Sequence, residues 1–252
     1  MKIAIALRTC DGILNHWNVK RCVDANKSTL LLTCLNSLLS AIINTKHEVI
    51  FSIHDDTSSE KTLTEVNFLC KKYGVNYELI HSGKLGNFKS QYEWIKRRTY
   101  DFVYCVEDDF LHRETIFNDL IDMYQYLQEF VNHPGTDYGF FPWNPPHRYD
   151  FFPRMYPVML FKYKNKYWRS DLQSTHTFFV TKNTFDSNDK YMRQQSYLWP
   201  AKEGLEPDTI CKVWQEQVTR LVVPLESLAY HLSDSEMPEI DELWKKYYYE
   251  TR

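Results

Sequence analysis

The stretch Phe102-Val103-Tyr104-Cys105-Val106-Glu107-Asp108-Asp109 runs from five apolar residues directly into three consecutive carboxylates. An apolar run without polar alternation is typical of a strand that is covered on both faces of a parallel sheet. In open α/β sheets, ligands bind beyond the carboxyl ends of such strands. We therefore expect the three acids to lie at the edge of the sheet where a functional site would form.

Three adjacent carboxylates repel one another at neutral pH, so the triplet needs positive charge close to it. A divalent cation with oxygen ligands meets this need, and the position of the triplet after a buried strand favours a metal site. The alternative is a solvated turn in which the acids only end the strand. The metal site is the prediction that we carry forward.

Strand-like and helix-like patterns alternate through the first half of the chain. The predicted strands cover residues 3–8, 48–54, 76–80 and 101–106. The predicted helices cover residues 29–44 and 87–98, with another between Ser59 and Gly74, and Ser28 is a candidate N-cap of the first. This alternation predicts βαβ units, and hence an α/β fold with a mostly parallel central sheet flanked by helices.

The pattern changes in the second half. An amphipathic helix is predicted over residues 114–131, and after it residues 138–168 are rich in proline and aromatics. Here we expect one short strand at residues 138–141 and then long aromatic-rich loops. Further expected elements are a strand at 175–181, a helix at 207–218, a strand at 221–223 and a C-terminal docking helix.

Composition excludes several classes of protein. The 30 basic and 33 acidic residues leave a net charge of -3, which gives no general attraction to nucleic acid or to an anionic membrane. The N-terminal apolar stretch, residues 3–7, is too short for a signal peptide or an integral membrane segment. The 6 cysteines form no C-x-x-C pair, which favours a cytoplasmic protein with free thiols.

Phosphate-binding glycine loops of the known kinds are absent from the sequence. Neither G-x-x-x-x-G-K-[ST] nor G-x-G-x-x-G occurs, and the chain has only 7 glycines. If a diphosphate binds, a metal ion and basic side chains must hold it.

Five short motifs, taken in their order along the chain, resemble those of the GT-A glycosyltransferases, and of family 2-like enzymes in particular. They are IAIALRT, IFSIHDD, VYCVEDD, LEPDT and AYHLSD. The resemblance implies a Rossmann-like GT-A fold in a single domain, residues 1–252. Residues 1–112 would form its nucleotide-sugar-binding half and residues 113–252 its acceptor-binding half.

On the donor side, the resemblance assigns the metal that bridges the donor diphosphate to Asp109, the last acid of a D-x-D-type motif. Glu107 holds the first position, where Asp is more usual, and would contact the ribose or reach the metal through water. Asp108 would face the ribose or lie outside the site. The resemblance also implies a late metal-binding histidine, which here is His231. A neutral imidazole suits Mn²⁺ better than Mg²⁺, which remains the alternative.

The acids that end the second strand, Asp55 and Asp56, would by the same resemblance contact the nucleoside, with Arg8 and Thr9 beside them. The alternative for the two acids is turn chemistry before a helix. Lys84 is also placed near the nucleotide by the resemblance, and its alternative is a solvated surface charge.

On the acceptor side, Glu206 and Asp208 flank Pro207 at a predicted helix N-terminus. Inverting GT-A enzymes use an acid here as general base, and Asp208 is the slight preference over Glu206. The alternative is simple N-capping. An aromatic set is expected to contribute one or two sugar-stacking residues: Trp143, Tyr149, Phe151, Phe152, Trp168 and Trp199.

These expectations describe a metal-dependent, inverting transfer of sugar from a nucleotide diphosphate sugar, with UDP as the expected nucleotide, to a glycan or other hydroxyl acceptor. Two alternatives stay open. One is a nucleotidyltransferase that makes a nucleotide-sugar, although residues 7–12 lack the Gly-rich basic loop usual in that class. The other is a catalytically silent glycan-binding module. Nothing in the sequence specifies an oligomeric state.

Overall fold

The computed structural model describes residues 1–12, 23, 25–83, 87–131, 134–145, 158–198, 206–215, 219–232 and 240–249. Its strands are β1 (Lys2–Thr9), β2 (Glu48–Asp55), β3 (Glu78–His81), β4 (Phe102–Glu107), β5 (Phe110–His112), β6 (Asp137–Phe140), β7 (Leu160–Tyr163), β8 (Lys166–Asp171), β9 (Phe178–Thr181), β10 (Thr219–Pro224) and β11 (Ala229–His231). Its helices are α1 (Lys27–Asn44), α2 (Glu60–Tyr73), α3 (Asn87–Lys96), α4 (Ile116–Tyr126), α5 (Lys182–Ser187), α6 (Asp189–Leu198), α7 (Ile210–Gln215) and α8 (Asp241–Tyr247). A π-turn (Leu127–Val131) and a 3₁₀ turn (Glu206–Asp208) complete the elements.

One nine-stranded sheet, in the order β3-β2-β1-β4-β9-β6-β10-β8-β7, takes strands from both halves of the chain. The pairings make every strand of this sheet except β8 and β9 run in one direction. The predicted α/β fold with a mostly parallel central sheet flanked by helices is therefore confirmed. No helix in the described ranges is long and apolar enough to cross a bilayer.

The chain reverses its direction across the sheet after β3. Strands β1, β2 and β3 follow one another toward one edge, and β4 then lies on the other side of β1. Because parallel crossovers are right-handed, α1 and α2 cover one face of the sheet and α3 the opposite face. The carboxyl ends of β1 and β4 thus flank a topological switch point, the usual place for a ligand in such sheets.

Helix ends follow their local sequence. The side chain of Asn26, rather than the predicted Ser28, caps α1 by accepting a hydrogen bond from the Thr29 amide at 2.8 Å. Ser59 caps α2, and Gly74 ends it with φ 66°, as predicted.

The second half differs from expectation in three places. The helix predicted over 114–131 changes to a π-turn after Tyr126. The helix predicted from residue 207 begins only at Ile210, because the preceding 3₁₀ turn occupies Glu206–Asp208. The hairpin of β7 and β8 lies inside the predicted aromatic-rich loops, and its turn contains Lys164 at φ 52°.

Gly139 in β6 leaves room for the indole of Trp214 on α7. An added Cβ would lie 2.5 Å from Cζ3 of Trp214 and 2.9 Å from Cγ1 of Val180. The indole is fixed by a 2.8 Å hydrogen bond from its Nε1 to Ser174 Oγ. We expect Gly139→Ala to lower the free energy of unfolding by about 2–3 kcal/mol in urea denaturation. Combined with Trp214→Leu, the two losses should be less than additive. If the double variant lost as much unfolding free energy as the two single variants together, a steric clash between the added methyl group and Trp214 would be contradicted.

Two buried histidines predict how stability depends on pH. Burial, with a smaller effect of Arg8 at His54, lowers the pKa of His54 and of His112 to about 3. The unfolded chain binds these protons near pH 6.5, whereas the folded protein does not, so stability is full above that pH and falls as the pH drops toward 3. Between pH 7 and 5 each histidine should cost about 2 kcal/mol of unfolding free energy.

The variant His112→Asn separates this effect from other titrations. Its unfolding free energy should fall between pH 7 and 5 by about 2 kcal/mol less than that of the unmodified chain, because one of the two histidines is gone. Equal slopes in urea titrations of the two proteins would contradict a neutral, buried His112.

Candidate active site

The acid triplet lies at the carboxyl end of β4, beside the end of β1. Parallel pairing sets Arg8 of β1 directly across from Glu107. Arg8 Nη2 lies 3.0 Å from Glu107 Oε1, and the guanidinium stacks 3.3 Å from the centroid of the Phe88 ring. Burial lowers the pKa of Arg8, which is 5% exposed, and Glu107 acts against that shift.

This ion pair bears on two sequence predictions. The carboxylate of Glu107 faces Arg8, and no group of three or more His, Cys, Asp or Glu side chains in the described ranges could hold a metal. Glu107 is thus the ion-pair partner of Arg8, and its contact with the ribose or the metal stays a prediction. The nucleoside contact of Arg8 stays a prediction, and it would require this buried guanidinium to gain access to the ligand.

Asp108 ties the loop after β1 to the start of α1. It accepts hydrogen bonds from the backbone amide of Cys10 at 2.8 Å and from Nζ of Lys27, the first residue of α1. Burial raises the pKa of Asp108, and the charge of Lys27 lowers it. Both oxygens have protein donors, which agrees with the alternative that Asp108 lies outside the donor-binding surface.

Asp109 and His231 are brought together by a small second sheet. Strand β11 pairs with β5 so that His231 stands across from Phe110, and the amide of Leu232 donates to the Asp109 carbonyl at 2.9 Å. His231 Nε2 then lies 3.4 Å from Asp109 Oδ2. The imidazole stacks on Phe110 at 4.8 Å and packs edge-on against Trp143 at 5.2 Å, which fixes its orientation.

The carboxylate of Asp109 is ionised and only partly used by the protein. Burial acts to raise its pKa, but the charge and hydrogen bond of His231 and the charge of Lys27 bring the pKa below its usual range. Its Oδ1 is buried and has no hydrogen-bond partner in the described part of the chain. That oxygen is one of the unsatisfied polar atoms of the site, together with Nε and Nη2 of Arg8.

A divalent ion fits Asp109 and His231 as a two-ligand site. Two ligand atoms held at about 2.1 Å from one ion are roughly 3.0–3.4 Å apart, which matches the separation of Nε2 and Oδ2. The remaining ligands would have to be substrate oxygens and water. Arg8, Lys27 and His231 each face one acid of the triplet, so the protein supplies part of the positive charge that the triplet was expected to need, and the metal stays a prediction.

Asp55 and Asp56 are built into the turn that follows β2. Asp55 accepts a hydrogen bond from the Thr9 hydroxyl at 2.9 Å and one from the Ser58 amide at 3.0 Å. The Asp56 amide donates to the Thr9 carbonyl at 2.8 Å, and all three residues Thr9, Asp55 and Asp56 are buried. This geometry is the turn chemistry given as their alternative, and nucleoside contact stays a prediction for them. Lys84 lies outside the described residues.

The acceptor-side acids differ in their surroundings. Glu206 Oε1 lies 2.9 Å from Nε2 of the buried His176, whereas Asp208 is exposed. The His176 ring packs edge-on against the Phe88 ring, with the ring centroids 4.7 Å apart, and the Arg8 guanidinium stacks on the same Phe88 ring. Glu206 therefore lies at the same edge of the sheet as the triplet.

Sequence reasoning missed Lys27 and His176. Lys27 could have been identified as a basic residue at the start of a predicted helix. His176 lies inside a predicted strand, and nothing in the sequence around it indicates a role. Of the aromatic set from which one or two sugar-stacking residues were expected, Trp143 and Trp168 are buried in the core. The other four aromatics of that set, Tyr149, Phe151, Phe152 and Trp199, lie outside the described residues.

Comparisons with known proteins support the fold of the chain. No family model matches the chain, and no curated protein matches its sequence. The crystal structure of residues 1–349 of TarS from S. aureus is similar with a TM-score of 0.50 and 13% identity, over 91% of this chain and 60% of that one. The same fragment in complex with UDP-GlcNAc is similar with a TM-score of 0.45 and 13% identity, over 98% of this chain and 65% of that one.

A cytidylyltransferase from Leptospira borgpetersenii gives a TM-score of 0.48 and 12% identity, over 93% of this chain and 83% of that one. In the comparison with TarS, this chain spans about three fifths of the TarS fragment. The similarity to TarS, a GT-A-type glycosyltransferase, confirms the GT-A-type fold that the five motifs predicted.

Proposed function

We propose that this chain is a transferase that uses a nucleotide-sugar, and that it moves the sugar from a UDP-sugar to a hydroxyl of a glycan or similar acceptor with inversion. The observation that carries this proposal is the juxtaposition of Asp109 and His231, 3.4 Å apart at the switch point of a GT-A-type sheet. The unsatisfied Asp109 Oδ1 supports a ligand at that point.

In this proposal Asp109 and His231 hold Mn²⁺, or Mg²⁺ as the alternative. The ion would supply positive charge to the departing diphosphate. Arg8 and Lys27 hold the neighbouring acids Glu107 and Asp108 in place through ion pairs, so that Asp109 is presented with one oxygen available. A carboxylate of the Glu206–Asp208 turn accepts the proton of the acceptor hydroxyl as that oxygen attacks in line.

The nucleotide and the compartment are also proposals. UDP follows from the motif resemblance, and UDP-GlcNAc, with which the TarS fragment was crystallised, is the first donor to test. The five cysteines within the described residues are free thiols, which supports a cytoplasmic location.

A thermal-shift panel tests the proposal. UDP, GDP, CDP and their sugars are each added with and without Mn²⁺, because ligands of the native state raise the melting temperature. UDP or a UDP-sugar with Mn²⁺ should give the largest shift. A flat panel combined with a shift from free glycan would instead indicate a glycan-binding module. Release of pyrophosphate from a nucleoside triphosphate and a sugar phosphate would indicate a nucleotidyltransferase.

A further inference from the structure

Glu206 and Asp208 are two residues apart but have different environments. The Glu206 side chain is 29% exposed and its Oε1 lies 2.9 Å from His176 Nε2. Asp208 is exposed at the other end of the same 3₁₀ turn. A group that must meet a substrate hydroxyl in a fixed direction has to be held by its neighbours, and His176 holds Glu206 in this way.

The position of His176 connects Glu206 to the donor-side acids. The next residue, Thr177, accepts a hydrogen bond through its Oγ1 from the backbone amide of Glu107 at 3.3 Å. His176 is 8% exposed and packs edge-on against Phe88, whose ring carries Arg8. The imidazole is therefore anchored to the same edge of the sheet that presents the triplet.

A small cavity also borders the imidazole. Its volume is about 30 Å³, enough for one or two water molecules, and it is lined by His176 together with Phe88, Phe178 and Ile210. The 2.9 Å contact with Glu206 adds to the packing on Phe88 in orienting both side chains.

We infer that His176 is a positioning residue that holds Glu206 as the proton acceptor for the acceptor hydroxyl, and that Asp208 does not have this role. The inference rests on the proposed function. His176 Nε2 lies 2.9 Å from Glu206 Oε1, and in this inference the other oxygen, Oε2, accepts the proton. The acceptor O–H bond breaks and its proton goes to Glu206, while the oxygen electron pair forms the new bond to the anomeric carbon. The bond from that carbon to the donor diphosphate breaks, and its electron pair leaves with the diphosphate.

The state of Glu206 agrees with this role. The close contact with His176 lowers the pKa of Glu206, burial opposes the shift, and the charge of Arg8 adds to the lowering. The carboxylate is thus ionised at neutral pH, as a proton acceptor must be.

Four variants test the inference in a sugar-transfer assay. We expect Glu206→Gln to lower kcat by about 100-fold or more, and by at least about 10-fold more than Asp208→Asn lowers it. His176→Phe should lower kcat by about 10-fold with donor KM unchanged, and His176→Gln, which keeps a donor, should lose less. In His176→Phe the acid limb of the kcat profile should move to higher pH, because Glu206 loses the bond that lowers its pKa.

Several outcomes would overturn the inference. One is a larger loss in Asp208→Asn than in Glu206→Gln, and another is an unshifted pH profile in His176→Phe. If His176→Phe does not fold, the inference is tested by the comparison of Glu206→Gln with Asp208→Asn and by the activity of His176→Gln. An unmodified chain without sugar-nucleotide turnover would overturn the proposed function and the inference together, whereas normal turnover with an active Glu206→Gln variant overturns the inference alone.

Discussion

Asp109→Asn should lower the rate of sugar transfer by about 1,000-fold while the protein stays folded. Asparagine keeps the size of the side chain and leaves the backbone contact to Leu232 unchanged. It removes the charge that faces His231 and the anionic oxygen that has no hydrogen-bond partner in the described residues. An ion that stabilises transition-state charge contributes several kcal/mol, and a loss of about 4 kcal/mol corresponds to a rate that is about 1,000-fold lower.

The matched control is Asp241→Asn, an exposed acid in the first turn of α8. It makes the same chemical change away from the site and should leave turnover within about 2-fold, since surface substitutions have small effects. Initial rates at saturating donor and a circular dichroism spectrum of each variant complete the comparison. Turnover of Asp109→Asn close to that of the control would remove Asp109 from the proposed site.

Lys27→Met should lower the free energy of unfolding by about 3 kcal/mol. Lys27 is the cation that faces Asp108, which is 7% exposed, and the Lys27 side chain itself is 25% exposed. Removing one partner of a buried ion pair leaves an uncompensated charge in the interior, and such changes cost about 3–5 kcal/mol. The partial exposure of Lys27 places the expected loss at the low end.

The double variant Lys27→Met/Asp108→Asn should recover most of this loss. The side-chain amide oxygen that the second substitution introduces can still accept from the Cys10 amide, as Asp108 does now, and no buried charge remains. Urea denaturation of the four proteins gives the coupling energy directly. A double variant that is as unstable as the sum of the two single variants would show that Lys27 does not act through Asp108.

Much of the fold follows from local sequence. The apolar run 102–106 has the composition of a doubly covered strand, and it is the buried strand β4 between β1 and β9. Helix spacing and the glycine at position 74 set the limits of α2. The hairpin of β7 and β8 was missed because its strands are short and lie in a region rich in proline and aromatics, a composition that is also typical of loops.

The candidate site was predictable in part. The juxtaposition of Asp109 and His231 could be expected from the order of the motifs, and the register of β5 and β11 produces it. The pairing of Arg8 with Glu107 and of Lys27 with Asp108 depends on the register of β1 against β4 and on where α1 begins. Neither is set by sequence spacing, so the sequence shows the repulsion within the triplet but not the protein cations that face two of its acids.

The most direct measurement is a crystal structure of the protein with UDP and Mn²⁺, with anomalous diffraction recorded at the manganese absorption edge. We predict one anomalous peak within about 2.3 Å of an Asp109 carboxylate oxygen and of His231 Nε2, with the diphosphate of UDP on the same ion. A peak at Glu107, or UDP bound away from the ends of β1 and β4, would contradict the proposed site.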